Sequence, residues 1–303
     1  MLRNISPKLL AYLQLHTAIF LFGFTGILGR WINEGGLSGT VLVMYRLVFT
    51  LISLLFIPEA WRNIQQMTCK ELLQIAGIGC VVALHWATFY TSIQFSNVSI
   101  SLSCLASTPL FISVLEPVFF KRKIAILEVV LGAFTVVGIV FIYGFSAKYH
   151  LGIAVGIVSA LCAAIFGVLN KSIAHKYSTY SIMLAEFSGG LILLLVTMPI
   201  HLYLVPYKTL FPTDNFTWLC LITLALLCTT VAYTLSIKAL KHVSAYTSGL
   251  SINLEPIYGI VLAYYFFHEN DELNQGFYVG TVIIVAAVFL HPLLKRFHAD
   301  SRR

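Results

Sequence analysis

The second half of this 303-residue chain repeats the first, and the repeated unit holds an odd number of apolar stretches. Ser92-Ile93-Gln94-Phe95-Ser96-Asn97-Val98-Ser99-Ile100-Ser101 aligns with Ala239-Leu240-Lys241-His242-Val243-Ser244-Ala245-Tyr246-Thr247-Ser248. Continued without a gap, the alignment carries Pro109 onto Pro256 and Phe119-Phe120 onto Phe266-Phe267. Each half contains five stretches long enough to cross a bilayer. A unit with five crossings delivers its second copy to the opposite face, so the two copies must be inverted. Inverted repeats place a solute site near the bilayer midplane, between the halves.

The composition agrees with a bilayer as solvent. The chain is 59% hydrophobic and 10% charged, where a soluble domain carries roughly a quarter charged residues. The fold class expected is an all-α integral membrane protein of ten transmembrane helices in two inverted five-helix repeats. The predicted spans are 11–31, 39–57, 71–95, 97–120 and 124–145, then 151–174, 179–200, 215–238, 243–267 and 275–294. The expected division is a first repeat over 1–145, a second over 151–294 and a basic tail over 295–303.

The formal net charge of +7 describes topology rather than a nucleic-acid partner. Lys121, Arg122, Lys123, Lys171, Lys176, Lys238, Lys241, Lys295 and Arg296 all fall at one set of alternating loops. Glu34, Asp214, Glu269, Asp271 and Glu272 fall at the other. Lys and Arg accumulate on the cytoplasmic side, so both termini are expected there, in a multi-pass protein of the plasma (inner) membrane. No cofactor or metal motif is present: the six cysteines form no CxxC pair, and most lie in apolar stretches. No cleavable signal peptide precedes the first span.

Several marks resemble the drug/metabolite transporter superfamily, specifically its EamA-type members with two tandem five-helix repeats. They are the glycine of Phe22-Gly23-Phe24 ahead of Arg30, Arg46 in span 2, and the stretch from Tyr90 through Ser107-Thr108-Pro109-Leu110-Phe111. Leu254-Glu255-Pro256-Ile257-Tyr258 and Phe266-Phe267-His268-Glu269 carry the likeness in the second repeat, while Arg122 stands where that pattern would put an acid in the first. The resemblance implies a secondary carrier of amino acids or related metabolites, often outward, and leaves the cargo open.

Ionisable side chains within spans are costly and are functional candidates by default. Here they are Arg46, His85, Glu116, Glu186 and Glu255. Glu255 lies near the middle of span 9, directly before Pro256. A proline in a helix interior donates no amide and clashes with the carbonyl four residues earlier, so a kink is expected beside Asn253 and Glu255. The carboxylate could bind a substrate ammonium, or carry protons as the coupling ion. Its alternative is a structural acid locked to a neighbouring helix. Pro109 is the symmetry mate in span 4, and the two kinks are expected to face each other as gating points.

His85, Trp86 and Tyr90 lie together in span 3, with 86 and 90 on one helical face, and Tyr233 aligns with Trp86 through the repeat; Trp86, Tyr90 and Tyr233 are expected to line a cavity. His85 is either a proton relay or, more commonly for such residues, an interhelical hydrogen-bonding group. Arg46 and Glu186 occupy matching positions with opposite charge. They are expected to pair across the repeat interface, with substrate-carboxylate binding by Arg46 as the alternative. Glu116 reads as a gate or interface partner near the cytoplasmic boundary, and Tyr12 and Trp31 as interfacial anchors. Gly152/Gly156 and Gly276/Gly280 permit close helix approach, within the monomer or at a homodimer face. An intramembrane enzyme acting on a lipid or small solute is the alternative function, but the chain has no nucleophile or two-histidine metal motif. A channel would need a filter-like repeated loop, which is likewise missing from the sequence.

Overall fold

A computed structural model of the protein describes residues 6–145, 147–204, 209–252, 254–269 and 275–300. The described residues are helical, with an isolated bridge between Leu37 and Thr209 as their only strand-like pairing. In chain order the helices are α1 (Pro7–Gly23), α2 (Thr25–Glu34), α3 (Gly39–Leu55), α4 (Pro58–Ile64), α5 (Cys69–Phe95), α6 (Val98–Leu105), α7 (Thr108–Phe119) and α8 (Ile126–Phe145). The second half gives α9 (His150–Ile173), α10 (Thr179–Leu204), α11 (Asn215–Ala225), a π-helical turn over Leu226–Val231, α12 (Ala232–Leu240), α13 (Ala245–Ile252), α14 (Leu254–Phe267) and α15 (Gln275–Asp300). Among the described residues six helical segments are long and apolar enough to cross a membrane, the joined α1–α2, α6–α7 and α11–α12 among them. Four shorter apolar helices accompany them.

Local sequence explains where the helices start and stop. Thr68 and Glu71 form a reciprocal capping box at the start of α5. The Asn97 side chain accepts from the Ile100 amide and starts α6, so this asparagine is a buried cap. Pro109 sits in the first turn of α7, where a missing amide costs nothing. The kink expected at Pro109 is therefore a full break, with α6 ending at Leu105 and α7 beginning at Thr108. In the second half the helices on either side of the equivalent point, α13 and α14, are described to Ile252 and from Leu254, with residue 253 between them outside the described residues. The shift that carries Pro109 onto Pro256 also carries the start of α6 at Val98 onto the start of α13 at Ala245. Span 1 is divided too, at Phe24 between α1 and α2, and the short α4 was not anticipated.

The packing follows the same two-fold exchange. α5 packs along α9 and α10, as α12 packs along α1 and α11 along α3. α7 crosses α9 as α14 crosses α1, and α8 packs against α15. The glycines at four-residue spacing serve these contacts within the chain: Gly156 meets Cys104 and Ser92, and Gly280 offers its backbone to Gly138.

The closest approach is that of α5 to α10. A Cβ built on Gly79 would overlap the Glu186 backbone carbonyl, and one on Gly189 the Ala76 carbonyl. Gly79→Val is therefore expected to push the two helices apart, at a cost of at least about 3 kcal/mol, the upper end for overpacking. Thermal unfolding in detergent measures it; a midpoint like that of the wild type would contradict the contact.

Candidate functional site

Between the halves lies a cavity of about 920 Å³, open space at its mouth included. Its walls are mainly apolar, with Phe22, Trp86, Phe89, Phe166 and Ile252 among them, and two buried charged groups, Arg46 and Glu255, reach it. Arg46 comes from α3 in the first half and Glu255 from the first turn of α14 in the second.

The Arg46 guanidinium is held from three directions. Its Nε donates to Thr229 Oγ1 at 2.6 Å, Nη1 to Tyr90 Oη at 2.9 Å and Nη2 to the Cys228 carbonyl at 3.3 Å. Its plane rests over the Trp86 ring, 3.7 Å from the centroid, the geometry of a cation–π contact. A guanidinium carries five N–H groups, so this cradle leaves capacity for an anion. The cradle depends on the π-helical turn. A π turn adds a residue to the helical repeat and recurs at functional sites. Here Thr229 Oγ1 donates back to the Leu224 carbonyl at 2.8 Å while accepting from Arg46. The neighbouring Ala225 carbonyl takes Thr50 Oγ1 at 3.2 Å and Thr230 Oγ1 at 3.0 Å. The run Cys228-Thr229-Thr230 thus turns helix carbonyls and hydroxyls toward α3.

The Glu255 carboxylate faces the Thr25 hydroxyl and lies within electrostatic range of Arg46. Asn253, expected beside it, lies outside the described residues. Trp86 and Tyr233, matched through the repeat, do meet: their rings pack edge to face with centroids 6.2 Å apart. Tyr90 stands behind the cavity wall and orients Arg46 through its hydroxyl. His85 lines the cavity, yet its Nδ1 is tied to the Ser159 carbonyl and hydroxyl of α9, at 3.0 and 2.9 Å. That is the interhelical role.

The expected pairing of Arg46 with Glu186 is not made. Glu186 is fully buried at the α5–α10 crossing, where its Oε2 accepts from Tyr233 Oη at 2.8 Å. Matching positions in the two copies are related by the axis that exchanges them, and contact follows only where both lie close to it. Trp86 and Tyr233 do; Arg46 and Glu186 do not.

The two ends of the bundle are latched differently. At one end Glu269, wholly buried, accepts from Arg30 Nη1 at 2.6 Å and from the Val98 and Ser99 amides at 3.0 and 2.9 Å. It also takes the Ser99 hydroxyl. It thus caps α6, placing a negative charge at the positive end of a helix. Arg30 stacks over Phe267, and Trp31 packs among Phe216, Phe266 and Phe267. At the opposite end Glu116 accepts from the Tyr246 amide of α13 at 2.7 Å. Lys171, the counterpart of Arg30, donates to the Leu240 carbonyl at 2.6 Å and to that of Val243. Val98 and Glu116 stand eighteen residues apart along α6–α7, about 27 Å at helical rise. The cavity extends from the helix breaks toward the Glu116 end, where Asn170, Leu240 and Ser248 line it.

Sequence reasoning did not assign site roles to Thr229, Asn170 or Thr25, and treated Arg30 and Glu269 only as marks of topology and resemblance. The acid at Glu269 serves a helix 170 residues away in the chain, for which no local pattern exists.

Broken helices meeting around a buried, charged cavity in an apolar bundle define a multi-pass membrane protein of the transporter class. The chain belongs to the EamA-like transporter family, whose model matches it twice, over residues 9–144 and 150–291. It is similar to an uncharacterized transporter, YxxF, of Bacillus subtilis (strain 168), with 22% identity over 93% of this chain and 89% of that protein. An uncharacterized transporter of Archaeoglobus fulgidus is 25% identical over 89% of this chain and 92% of its own length. One solved crystal structure superposes with a TM-score of 0.67 at 14% identity, covering 94% of this chain and 98% of that one. At that identity the likeness is one of fold.

Proposed function

We propose that this protein is a secondary carrier that moves a small zwitterionic metabolite, an amino acid above all, outward across the plasma (inner) membrane. The observation that carries this reading is that two buried side chains of opposite charge, one from each half, reach the same cavity. Arg46 would take the carboxylate of the solute, Glu255 its ammonium, and the aromatic wall its side chain. The six long and four shorter apolar helices correspond to ten spans, five per repeat, with both termini cytoplasmic by the distribution of Lys and Arg. On that topology the Glu116 end is cytoplasmic and the cavity faces inward. Alternating access would rock one repeat against the other, with Pro109 and Pro256 marking the places that yield and Glu116 as part of the inner gate.

Thermal stabilisation of the purified protein across an amino-acid and metabolite panel tests this. At least one zwitterion is expected to raise the unfolding midpoint of the wild type and to leave Glu255→Gln unmoved. The variant keeps the size of the side chain while removing the charge that an ammonium needs. An equal shift in wild type and Glu255→Gln would remove Glu255 from the site. No shift for any amino acid would sink the substrate assignment.

A further inference from the structure

We propose that Glu186 is a proton-binding site that exchanges with the cavity through the Tyr233 hydroxyl and the Asn170 amide. The proposal rests on the carrier reading, for which it supplies a coupling group distinct from the solute-binding pair.

Glu186 does not line the cavity, but the two residues that connect it do. Tyr233 Oη donates to Glu186 Oε2 at 2.8 Å and accepts from Asn170 Nδ2 at 2.8 Å. Both ends of this chain hold a buried oxygen without a hydrogen-bond partner, Glu186 Oε1 and Asn170 Oδ1. Buried polar atoms are nearly always paired, so each exception calls for an explanation.

No cation answers Glu186 among the described residues. α10 packs against α3, α4, α5 and α12. From α3, Arg46 is turned to Thr229, Tyr90 and the Cys228 carbonyl, and Tyr45 donates to the Leu210 carbonyl. α4, whose sequence carries Glu59 and Arg62, meets the start of α10 where its Glu59 and Ala60 carbonyls receive the Ser181 hydroxyl. From α5, Cys80 donates to the Gly189 carbonyl, His85 is tied to Ser159, Tyr90 to Arg46, and Glu71 with its neighbour Lys70 stands at the first turn. From α12, Lys238 sits over the Tyr180 ring at 5.2 Å, which leaves Tyr233 as the group in contact. An ionised carboxylate buried without a counter-charge is costly, whereas the acid form needs none.

The chain of hydrogen bonds can run in either direction. As observed, Asn170 donates to Tyr233 and Tyr233 to Glu186. With the amide rotated, Asn170 Oδ1 accepts from Tyr233, whose oxygen is then free to accept from the protonated acid. In the release step the Glu186 O–H bond breaks and a new O–H bond forms on Tyr233 Oη. The hydroxyl turns from Asn170 Oδ1 to a cavity water, and the proton first carried by the phenol passes to that water. Glu186 is left as a carboxylate accepting from Tyr233, and the water carries the charge to bulk. A hydroxyl is needed in the middle because Glu186 itself touches no cavity surface.

Infrared difference spectroscopy of the full-length protein in nanodiscs, between acid and alkaline buffer, tests this without any substrate. A protonated-carboxyl band is expected that Glu186→Gln removes; glutamine keeps an oxygen for Tyr233 to bond, so the fold is preserved. Tyr233→Phe is expected to retain the band but to slow its hydrogen–deuterium exchange at least tenfold. A spectrum unchanged by Glu186→Gln, or equally fast exchange in Tyr233→Phe, overturns the proposal. Because the readout needs no cargo, it stands or falls apart from the carrier reading.

Discussion

Glu269→Ala is expected to destabilise the protein by about 3 kcal/mol, the low end for removing one partner of a buried ion pair. The weight falls on the helix cap more than on the charge pair. Arg30 is 24% exposed and keeps Glu34 at 2.9 Å, so solvent and a second acid soften its loss. The Val98 and Ser99 amides and the Ser99 hydroxyl have no such reserve, since each points at a wholly buried carboxylate. Unmade hydrogen bonds in a buried setting cost about 1–3 kcal/mol. Glu269→Gln should fall between the wild type and alanine, because an amide oxygen still accepts from one amide while its nitrogen meets donors. Unfolding titrations in mixed micelles measure the series. A Glu269→Ala variant as stable as the wild type would show that α6 does not depend on this cap. The same variants should admit a water-soluble thiol reagent to a cysteine placed at Asn33, because releasing α6 loosens the end of the bundle that Glu269 closes.

Arg46→Lys should leave the protein folded and weaken binding of the stabilising zwitterion roughly thirtyfold, about 2 kcal/mol for a lost charged hydrogen bond. The positive charge opposite Glu255 is retained, so an effect of that size isolates geometry. Three partners approach the guanidinium from separate directions and Trp86 supports its plane. An ammonium is a point charge on a flexible stem and cannot meet all of them while presenting two parallel donors to a carboxylate. Thr229→Val, which keeps shape and removes the acceptor of Nε, should cost less, about 1 kcal/mol or roughly fivefold. Calorimetric titration of both variants gives the comparison. Equal affinity for Arg46→Lys and wild type would mean that Arg46 holds the helices together and does not hold the solute.

Much of the architecture was legible in the chain because duplication writes the same signal twice. Pro109 announces a break by a local rule, the loss of one amide, and the described helices part there, between Leu105 and Thr108. Trp86 and Tyr233 could be paired by register alone. Arg46 and Glu186 could not, because register predicts equivalence and says nothing of distance from the axis. The π-helical turn left no trace either: Leu226-Leu227-Cys228-Thr229-Thr230-Val231 reads as continuing apolar helix. Its widening is decided by what α3 offers, namely Thr50, Ser53 and Arg46. Glu116 was legible as a partner near a boundary; that it caps α13, where register would have put the work on Arg122, was not.

The unequal fastening of the two ends bears on what such a molecule can and cannot do. Among the described residues four donors meet the Glu269 carboxylate at one end, against the Tyr246 amide at Glu116 at the other. A fixed difference of this kind is an equilibrium property, and microscopic reversibility forbids it from driving net movement of a solute in either direction. What it fixes is where the empty molecule waits. If the waiting state faces one compartment, a solute on that side meets a ready site, while one on the far side must first draw the population across. The half-saturating concentration should then differ between the two sides, with the ratio of maximal rates shifted to compensate. The divergence of Arg122 from Glu269 after duplication therefore reads as a change in sidedness of affinity, with no change in the thermodynamic end point.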